Sequence, residues 1–549
     1  MFNREYRNAR FLIVDGNTQL RLALEKMLKS FGAWYIDMAA DGDEAINKCE
    51  HGLFDVVICD YQLSGRNGQH VLEELRERKI LRYTSLFVMM SAETTREMVL
   101  AAIDHQPDAY INKPITSDVL KQRLDNLLVD NEVLYELKHA IDMERWSEAI
   151  SRCEEKIARG SKYLRWCEKT VAELYFQTGA LNEALRVYQQ VLSERTLIWA
   201  QVGVARVYIA QADYDLAEEL LRKVVEAAPN CLVAYDLLAR VLVDTHRGKE
   251  AQEWLVDAVG LSPTAILRHA RLGDIAWENQ DVDCAVEAFR NAVELGRKSI
   301  FDRLDNHLGF SRSLCERAGA QPKVMREAAL QETFEVLRNM DERFVMNDTA
   351  RFQYEVVAAK ACCMLKHEEE RDERLAQAET LYQSVGFNLP SSRVMEYAQV
   401  LLASGKDLEA EFILSQLSLM HGDEPELQKR IEEMRDEPVS PAARQKAAEL
   451  NKQGIRLAEQ EDFKGAVAAF NEALEYSARH PALNLNLAQV LLKQLSSSPG
   501  DGAARRACAA CFDRIVHIKP THKQYPRFQH LRTKFDGAHG GGVEAHSAG

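Results

Sequence analysis

Ala184, Ala217, Ala251 and Ala285 recur at spacings of 33, 34 and 34 residues, and each is followed four residues later by a large side chain: Tyr188, Leu221, Leu255 and Phe289. Twelve residues before each alanine stands another small residue, Ala172, Ala205, Ala239 and Gly273. A period of this length marks a solenoid of helix pairs, in which each unit buries its apolar face only against its neighbours. The small residues at the two spacings let the two helices of one unit approach closely, and the large residues fill the groove to the next unit. Position eleven of each unit gives Tyr175, Tyr208, Leu242 and Ala276, and two units close with Pro229 and Pro263.

The pattern resembles tetratricopeptide repeats (TPRs), most strongly over residues 165–299. Ala149 with Cys153 marks a degenerate first unit near 130–163, and Gly405, Ala410 and Leu414 mark another near 391–420. A clear unit returns with Gly454, Ala466, Phe470 and Ala473, followed by Ala488, Cys508, Phe512 and Pro520. Residues 300–390 keep a helical period with irregular spacing, so their helix lengths should differ from the consensus. The expected all-α segmentation is a TPR solenoid over 129–420, a linker at 421–446 carrying Asp423-Glu424-Pro425 and Asp436-Glu437-Pro438, further TPR units over 447–535, and a Gly- and Ala-rich disordered tail at 536–549.

Before the repeats, residues 1–128 have a different rhythm. Strands are expected at 11–14, 34–38, 54–59, 85–90 and 109–112, and helices at 18–31, 43–51, 67–78, 94–105 and from 116 onward. Five βα units imply an α/β doubly wound five-stranded parallel sheet of the flavodoxin-like kind, with its chemistry at the carboxyl edge. Polar groups close four of the apolar runs: Asp15 after Phe11–Val14, Asp60 after Phe54–Cys59, Ser91 after Leu86–Met90, and Lys113-Pro114 after Ala109–Asn112. These residues together resemble the receiver (CheY-like) domain of response regulators. The resemblance implies that Asp60 is the phosphoacceptor, that Mg²⁺ is held by Asp15, Asp60 and the backbone carbonyl of Gln62, and that Ser91, Tyr110 and Lys113 bind the phosphoryl group or report it. It also implies a cis Lys113–Pro114 peptide, and a histidine kinase or phosphotransfer protein as donor.

One residue departs from the family pattern. Receivers carry two adjacent acids after the first strand, and here Asp15 is followed by Gly16. The exchange removes one charge and one oxygen ligand, so Mg²⁺ affinity should be weak. The alternative is then a pseudo-receiver scaffold or adaptor that works without phosphate.

Between Pro114 and Gly160 there is no glycine or proline, and Leu120, Leu127, Leu134 and Ile141 recur every seven residues. The last receiver helix is therefore expected to run almost directly into the first repeats, with the heptad row packed inside the chain; a homodimer seam is the other reading.

A net charge of −15 argues against nucleic-acid binding. No run approaches membrane-span length and the N-terminus lacks a signal-like segment, which suggests a cytoplasmic protein without membrane insertion. The cysteines, scattered at apolar helical positions, suit reduced thiols, and Cys508-Ala509-Ala510-Cys511 sits where a repeat helix wants small residues. Without a GxSxG, Walker or HExxH motif, the chain is not expected to be an enzyme. The reading is a two-component response regulator in which phosphorylation of the receiver modulates protein binding in the TPR groove and thereby regulates a partner signalling protein. A receiver acting only as a phosphate sink is a further alternative.

Overall fold

The computed structural model describes residues 6–92, 107–435, 441–498, 501–516, 518 and 523–537. The chain divides into two compact units, with the division between Val345 and Met346.

The first unit begins with a five-stranded parallel sheet of order β2-β1-β3-β4-β5, formed by β1 Arg10–Val14, β2 Tyr35–Ala39, β3 Val56–Asp60, β4 Leu86–Ser91 and β5 Ala109–Asn112. β3 and β4 are buried at every residue. That explains their unbroken apolar runs, since a parallel sheet is covered on both faces. One face packs Phe11, Ile13 and Ile58 with Leu24, Leu28, Leu120 and Leu124. The other packs Leu12, Val14 and Val57 with Ile46, Val71 and Leu75.

The helices start where the local chemistry allows. Asn17 caps Thr18–Phe31, Asp41 caps Gly42–His51 and Asn67 caps Gly68–Glu77, each accepting backbone N–H bonds from the first turn. β3 begins two residues later than its apolar run suggests. Asp55 is spent at the strand entrance, its carboxylate accepting the Arg10 N–H at 2.7 Å while its own N–H donates to the Arg10 carbonyl at 2.9 Å. The helix expected over 94–105 lies outside the described residues.

Helix Ser117–Asp142 is 26 residues long and unbroken, so the boundary expected at 128 falls in its interior. Its first half buries Leu120, Leu124 and Leu128 in the sheet's core. Its second half packs Leu137 with Cys153, Cys167 and Val171, and Ala140 with Ala149 and Leu174. The heptad row is used inside the chain: Leu120 and Leu134 are buried, while Leu127 and Ile141 lean on the two cores in turn.

From Trp146 onward the first unit is all helix. The regular pairs are Leu164–Gln177 with Leu181–Glu194, Ile198–Ala210 with Tyr214–Ala227, Leu232–Asp244 with Gly248–Leu261, and Ile266–Glu278 with Val282–Gly296. Ala184, Ala217, Ala251 and Ala285 are fully buried, as are Ala172, Ala205 and Ala239. The fourth small residue is glycine for a steric reason: a Cβ on Gly273 would stand 2.8 Å from the ring of Phe289, and one on Gly309 would stand 2.6 Å from the same ring. The turn between paired helices also repeats. Gly179, Ala212, His246 and Gln280 all have φ between 60° and 77°, at the period of the alanines.

Residues 300–390 carry longer helices. Leu304–Ala320 and Lys323–Arg343 end the first unit, and Asp348–Leu365 and Glu368–Val385 open the second. Ser391–Ser404 and Asp407–Met420 follow. The segment 421–446, expected as a linker, instead carries helix Pro425–Arg435, whose Leu427 and Ile431 are buried. Pro425 stands at the first helical position, where its missing N–H costs nothing, so it starts this helix instead of breaking one. Helices Pro441–Glu459, Phe463–Tyr476, Pro481–Ser497, Gly502–Arg514 and Tyr525–Gly537 complete the second unit. Cys508 and Cys511 are packed in its core, and burial pushes their thiols up to about 12 and about 11. The tail beyond Gly537 lies outside the described residues, as do Asp436-Glu437-Pro438 and Pro520.

Ala212 occupies a left-handed conformation that Gly179 adopts freely in the preceding unit. Ala212→Gly should therefore stabilise the chain by about 0.5–1 kcal/mol, read as a rise in the urea midpoint at unchanged slope. A loss of stability would show that the Ala212 side chain contributes more than its backbone strain costs.

Candidate functional site

The parallel register brings the carboxyl ends of β1, β3, β4 and β5 to one edge. Val14 pairs with Cys59, Asp60 with Met90, and Ser91 with Asn112, so the residues closing those strands face one another although they are distant in sequence. Asp15, Asp60 and Ser91 are all buried there.

Lys113 closes the constellation. Its Nζ lies 2.9 Å from Asp15 Oδ2 and 2.8 Å from Asp60 Oδ2, a single ammonium between two buried carboxylates. The Lys113 N–H donates to the Ser91 carbonyl at 2.7 Å, and the Lys113–Pro114 peptide is cis. Burial would lower the Lys113 ammonium, but hydrogen bonds from it to Asp60 and Asp15 carry it above its ordinary value. Asp60 shows the opposite balance. Burial raises its carboxyl, the bond from Lys113 lowers it, the neighbouring Asp15 charge raises it and the Gln62 N–H lowers it, and the net shift is upward.

Asp15 is fixed by groups that single-residue motif reading passes over. The Asn17 N–H donates to Asp15 Oδ1 at 2.7 Å, and the Arg21 guanidinium donates to the Asp15 carbonyl. The detectable signal was Asn17 itself, an N-cap residue directly before a helix. Arg21 lies one turn into that helix, and only the fold shows that it turns back to the strand end.

The loop after Asp60 is tied down at both ends. The Tyr61 N–H donates to the Met90 carbonyl at 2.8 Å and the Gly68 N–H to the Tyr61 carbonyl at 2.9 Å. A Cβ on Gly68 would stand 2.3 Å from the Asp60 carbonyl oxygen, so only glycine lets the next helix start this close to the strand end. Arg66 pairs with Asp43 at 2.8 Å and with Glu74, holding the loop to helix Gly68–Glu77. Gln62 is exposed in this loop.

Tyr110 stands on β5 beside this edge and, like Tyr61, Leu63 and Leu81, leans on the core of that face of the sheet. Burial, with a smaller contribution from Tyr61, pushes its phenol up to about 12, and its hydroxyl is buried with no hydrogen-bond partner among the described residues. Gly16 is exposed, and a Cβ there would meet nothing nearer than the Ala40 carbonyl at 4.0 Å. The space for a side chain exists and the acid is absent. Asp15 and Asp60 are the two carboxylates that share Lys113 at this edge, and among the described residues no three His, Cys, Asp or Glu side chains form a metal-binding group.

Residues 11–125 match the family described as response regulator receiver domain, and residues 175–241 and 451–520 match tetratricopeptide repeat families. Chemotaxis protein CheY-3 of Vibrio cholerae serotype O1 is 31% identical over 121 residues, which cover 22% of this chain and 92% of the relative. Chemotaxis protein CheY of Pseudomonas aeruginosa is 27% identical over 118 residues, 22% of this chain and 94% of the relative. A CheY-like receiver domain protein of Methanospirillum hungatei, solved by crystallography, is 25% identical with a TM-score of 0.21, covering 23% of this chain and 96% of that one. Among the described residues no helix is long and apolar enough to cross a membrane.

The balance at this edge sets how stability responds to change. Because the folded Asp60 pKa lies above its unfolded value, the protonated form favours folding. That contribution is complete below the unfolded pKa and is lost as pH rises through the folded one, so at neutral pH the Asp60 charge costs stability. Asp60→Asn should stabilise the receiver at pH 7, with the gain fading in acid. Lys113→Met should destabilise it by about 3 kcal/mol, because two buried carboxylates lose their common counter-charge. Urea titrations followed by hydrogen exchange at the strands would check both signs.

Proposed function

The chain belongs to the response regulator receiver family and carries tetratricopeptide repeats behind its receiver, and on that basis we propose that Asp60 accepts a phosphoryl group and that its state controls protein binding by the repeats. The observation that carries this reading is the Lys113 ammonium held 2.9 Å from Asp15 and 2.8 Å from Asp60 at the carboxyl edge of the sheet. Such an arrangement supplies a carboxylate nucleophile, a second carboxylate and a positive charge in one place.

Asp60 Oδ attacks the phosphorus of a phosphohistidine on a histidine kinase or phosphotransfer protein. The P–N bond breaks and its electron pair goes to that ring nitrogen, so a phosphohistidine protonated on its other nitrogen departs as neutral imidazole, and an acyl phosphate forms on Asp60. Lys113, released from part of its pairing with Asp60, then faces the phosphoryl oxygens, and the Ser91 hydroxyl donates to another of them. Tyr110, whose hydroxyl lacks a partner among the described residues, is the group free to reorient as Ser91 is drawn in.

Mg²⁺ fits the donor set. Asp15 and Asp60 converge on one cation position now served by Lys113, and the Gln62 carbonyl belongs to the adjoining loop; a hard cation that keeps several waters needs only one or two carboxylates. When bound, it would neutralise the charge that builds on the transferring phosphoryl oxygens. Gly16 leaves one ligand fewer than the family pattern, and this observation favours the second reading, a pseudo-receiver whose repeats bind partners without phosphate.

Intact mass after incubation with a small phosphodonor and Mg²⁺ tests the choice. The expected result is a phosphoryl-sized gain in the wild type that Asp60→Asn abolishes. No gain at high Mg²⁺ would sink the phosphorylation reading and leave the scaffold.

Gly16→Asp gives an independent prediction. The site has room for the side chain, so the Mg²⁺ concentration for half-maximal phosphorylation should fall about tenfold, a gain of about 1.4 kcal/mol in metal binding. An unchanged Mg²⁺ requirement would show that position 16 does not reach the metal.

A further inference from the structure

Helix Gly68–Glu77 leads directly out of the Asp60 loop and packs Val71, Leu72 and Leu75 on the sheet, yet its Gln69, His70 and Glu73 face the repeats. Gln69 is 8% exposed and Glu73 is 6% exposed, values unusual for such side chains one turn apart on a receiver surface. They lean on each other, Gln69 Nε2 donating to Glu73 Oε1 at 2.9 Å, and the Ser299 hydroxyl of the repeats reaches Glu73 Oε2 at 3.5 Å. At the loop itself, a Cβ on Gly65 would stand 3.6 Å from Lys298 Nζ.

Opposite Gln69, His70 and Glu73, across a cavity of about 390 Å³, stand Val233, Asp236, Ile266, Arg268, Arg271 and Phe301. Five of these six lie on the first helices of two successive repeats or their leading turns, the row that solenoids of this kind present to ligands. The charges there are unevenly matched. Arg268 takes the Asp236 carboxylate through both Nε and Nη2, at 3.0 and 2.9 Å. Arg271 gets only the Asp236 backbone carbonyl, at 3.3 Å, and meets no carboxylate within ion-pair distance among the described residues. Burial holds its guanidinium below its ordinary pKa. Its nearby acids, Asp236 and Asp244, act on it only at a distance, and the Asp236 carboxylate is held by Arg268. A half-buried cation with no carboxylate bonded directly to it, lining one cavity with apolar Val233, Ile266 and Phe301, is complementary to an amphipathic helix that brings a carboxylate.

We propose that this face is the partner-docking surface of the repeats, that its ligand is an amphipathic helix bearing an acid four residues after an amide, and that the receiver's own helix Gly68–Glu77 occupies the place in the unphosphorylated chain. The proposal rests on the reading that the repeats bind a protein partner, and it adds where and by what chemistry. The receiver helix is the internal competitor. A partner's apparent affinity is reduced by the fraction of chains in which that helix is seated. The seat adjoins the phosphoacceptor: the Tyr61 hydroxyl, one residue after Asp60, donates to Gln69 Oε1 at 3.5 Å, and the Gly68 N–H is bonded to the Tyr61 carbonyl.

The probe is a helix-stapled, fluorescent peptide of residues 67–80, titrated into the full-length, unphosphorylated chain. Glu73→Lys, outside the phosphoryl site, should unseat the receiver helix and bind the peptide at least tenfold more tightly than wild type. Adding Arg271→Glu should abolish that gain. Hydrogen exchange over residues 264–271 should be several-fold faster in Glu73→Lys than in wild type and should slow again with peptide. Gln69→Lys serves the same purpose if Glu73→Lys loses its native circular dichroism. Equal peptide affinity in wild type and the unseated variant, or a gain that survives Arg271→Glu, would overturn the proposal. A gain in Glu73→Lys in a chain that takes no phosphoryl group would keep the docking surface and discard phosphorylation as its control.

Discussion

One unbroken helix, Ser117–Asp142, belongs to two cores at once, and the arrangement of the first unit depends on it. Its leucines complete the receiver sheet on one half and the first repeat on the other, so neither core closes without it. The joint is pinned by polar bonds that a flexible tether would not keep. The Asp142 carboxylate accepts the Thr84 N–H at 3.1 Å and its hydroxyl at 2.8 Å, Asn131 Nδ2 donates to the Thr84 carbonyl at 2.7 Å, and Lys138 donates to Asn131 at 2.7 Å. Lys138 is buried, and desolvation lowers its pKa below that of an ordinary lysine. A buried cation held by a neutral amide is costly to expose or to move, which favours a joint with a defined geometry.

That joint gives the receiver's other faces a fixed relation to the repeats of the same unit. The loop leaving Asp60 and the helix after it then meet residues 298–301 and the first helices of two repeats. Asp60 and this repeat surface become neighbours, separated by one short loop that Gly68, Arg66 and two backbone bonds hold tightly. Under the proposed switch, a change at Asp60 would have a short mechanical route to that surface without any long-range pathway.

Much of this was legible in the sequence. The apolar runs closed by Asp15, Asp60, Ser91 and Lys113 identified the strand ends, because a parallel sheet buried on both faces needs continuous apolar strands and leaves polar residues to its edge. The 33- and 34-residue spacing identified the repeats, because the tight contact between paired helices tolerates only small side chains. The absence of glycine and proline between Pro114 and Gly160 anticipated the long helix. The segment after His421 was misread: paired acids and prolines suggest a linker, yet Pro425 starts a helix, and Leu427 and Ile431 find a buried place that their local pattern does not announce.

Sequence alone determined the elements, their order and the residue types at the sheet edge, since hydrophobic period and steric size are written locally along the chain. Only the tertiary structure decided that one ammonium would serve both Asp15 and Asp60, that Arg21 would turn back to the strand end, and that Gln69 and Glu73 would be buried against the repeats. Those outcomes depend on contacts between residues up to 226 positions apart. Such contacts leave no periodic trace, because each is made once, by a single pair of side chains that folding brings together.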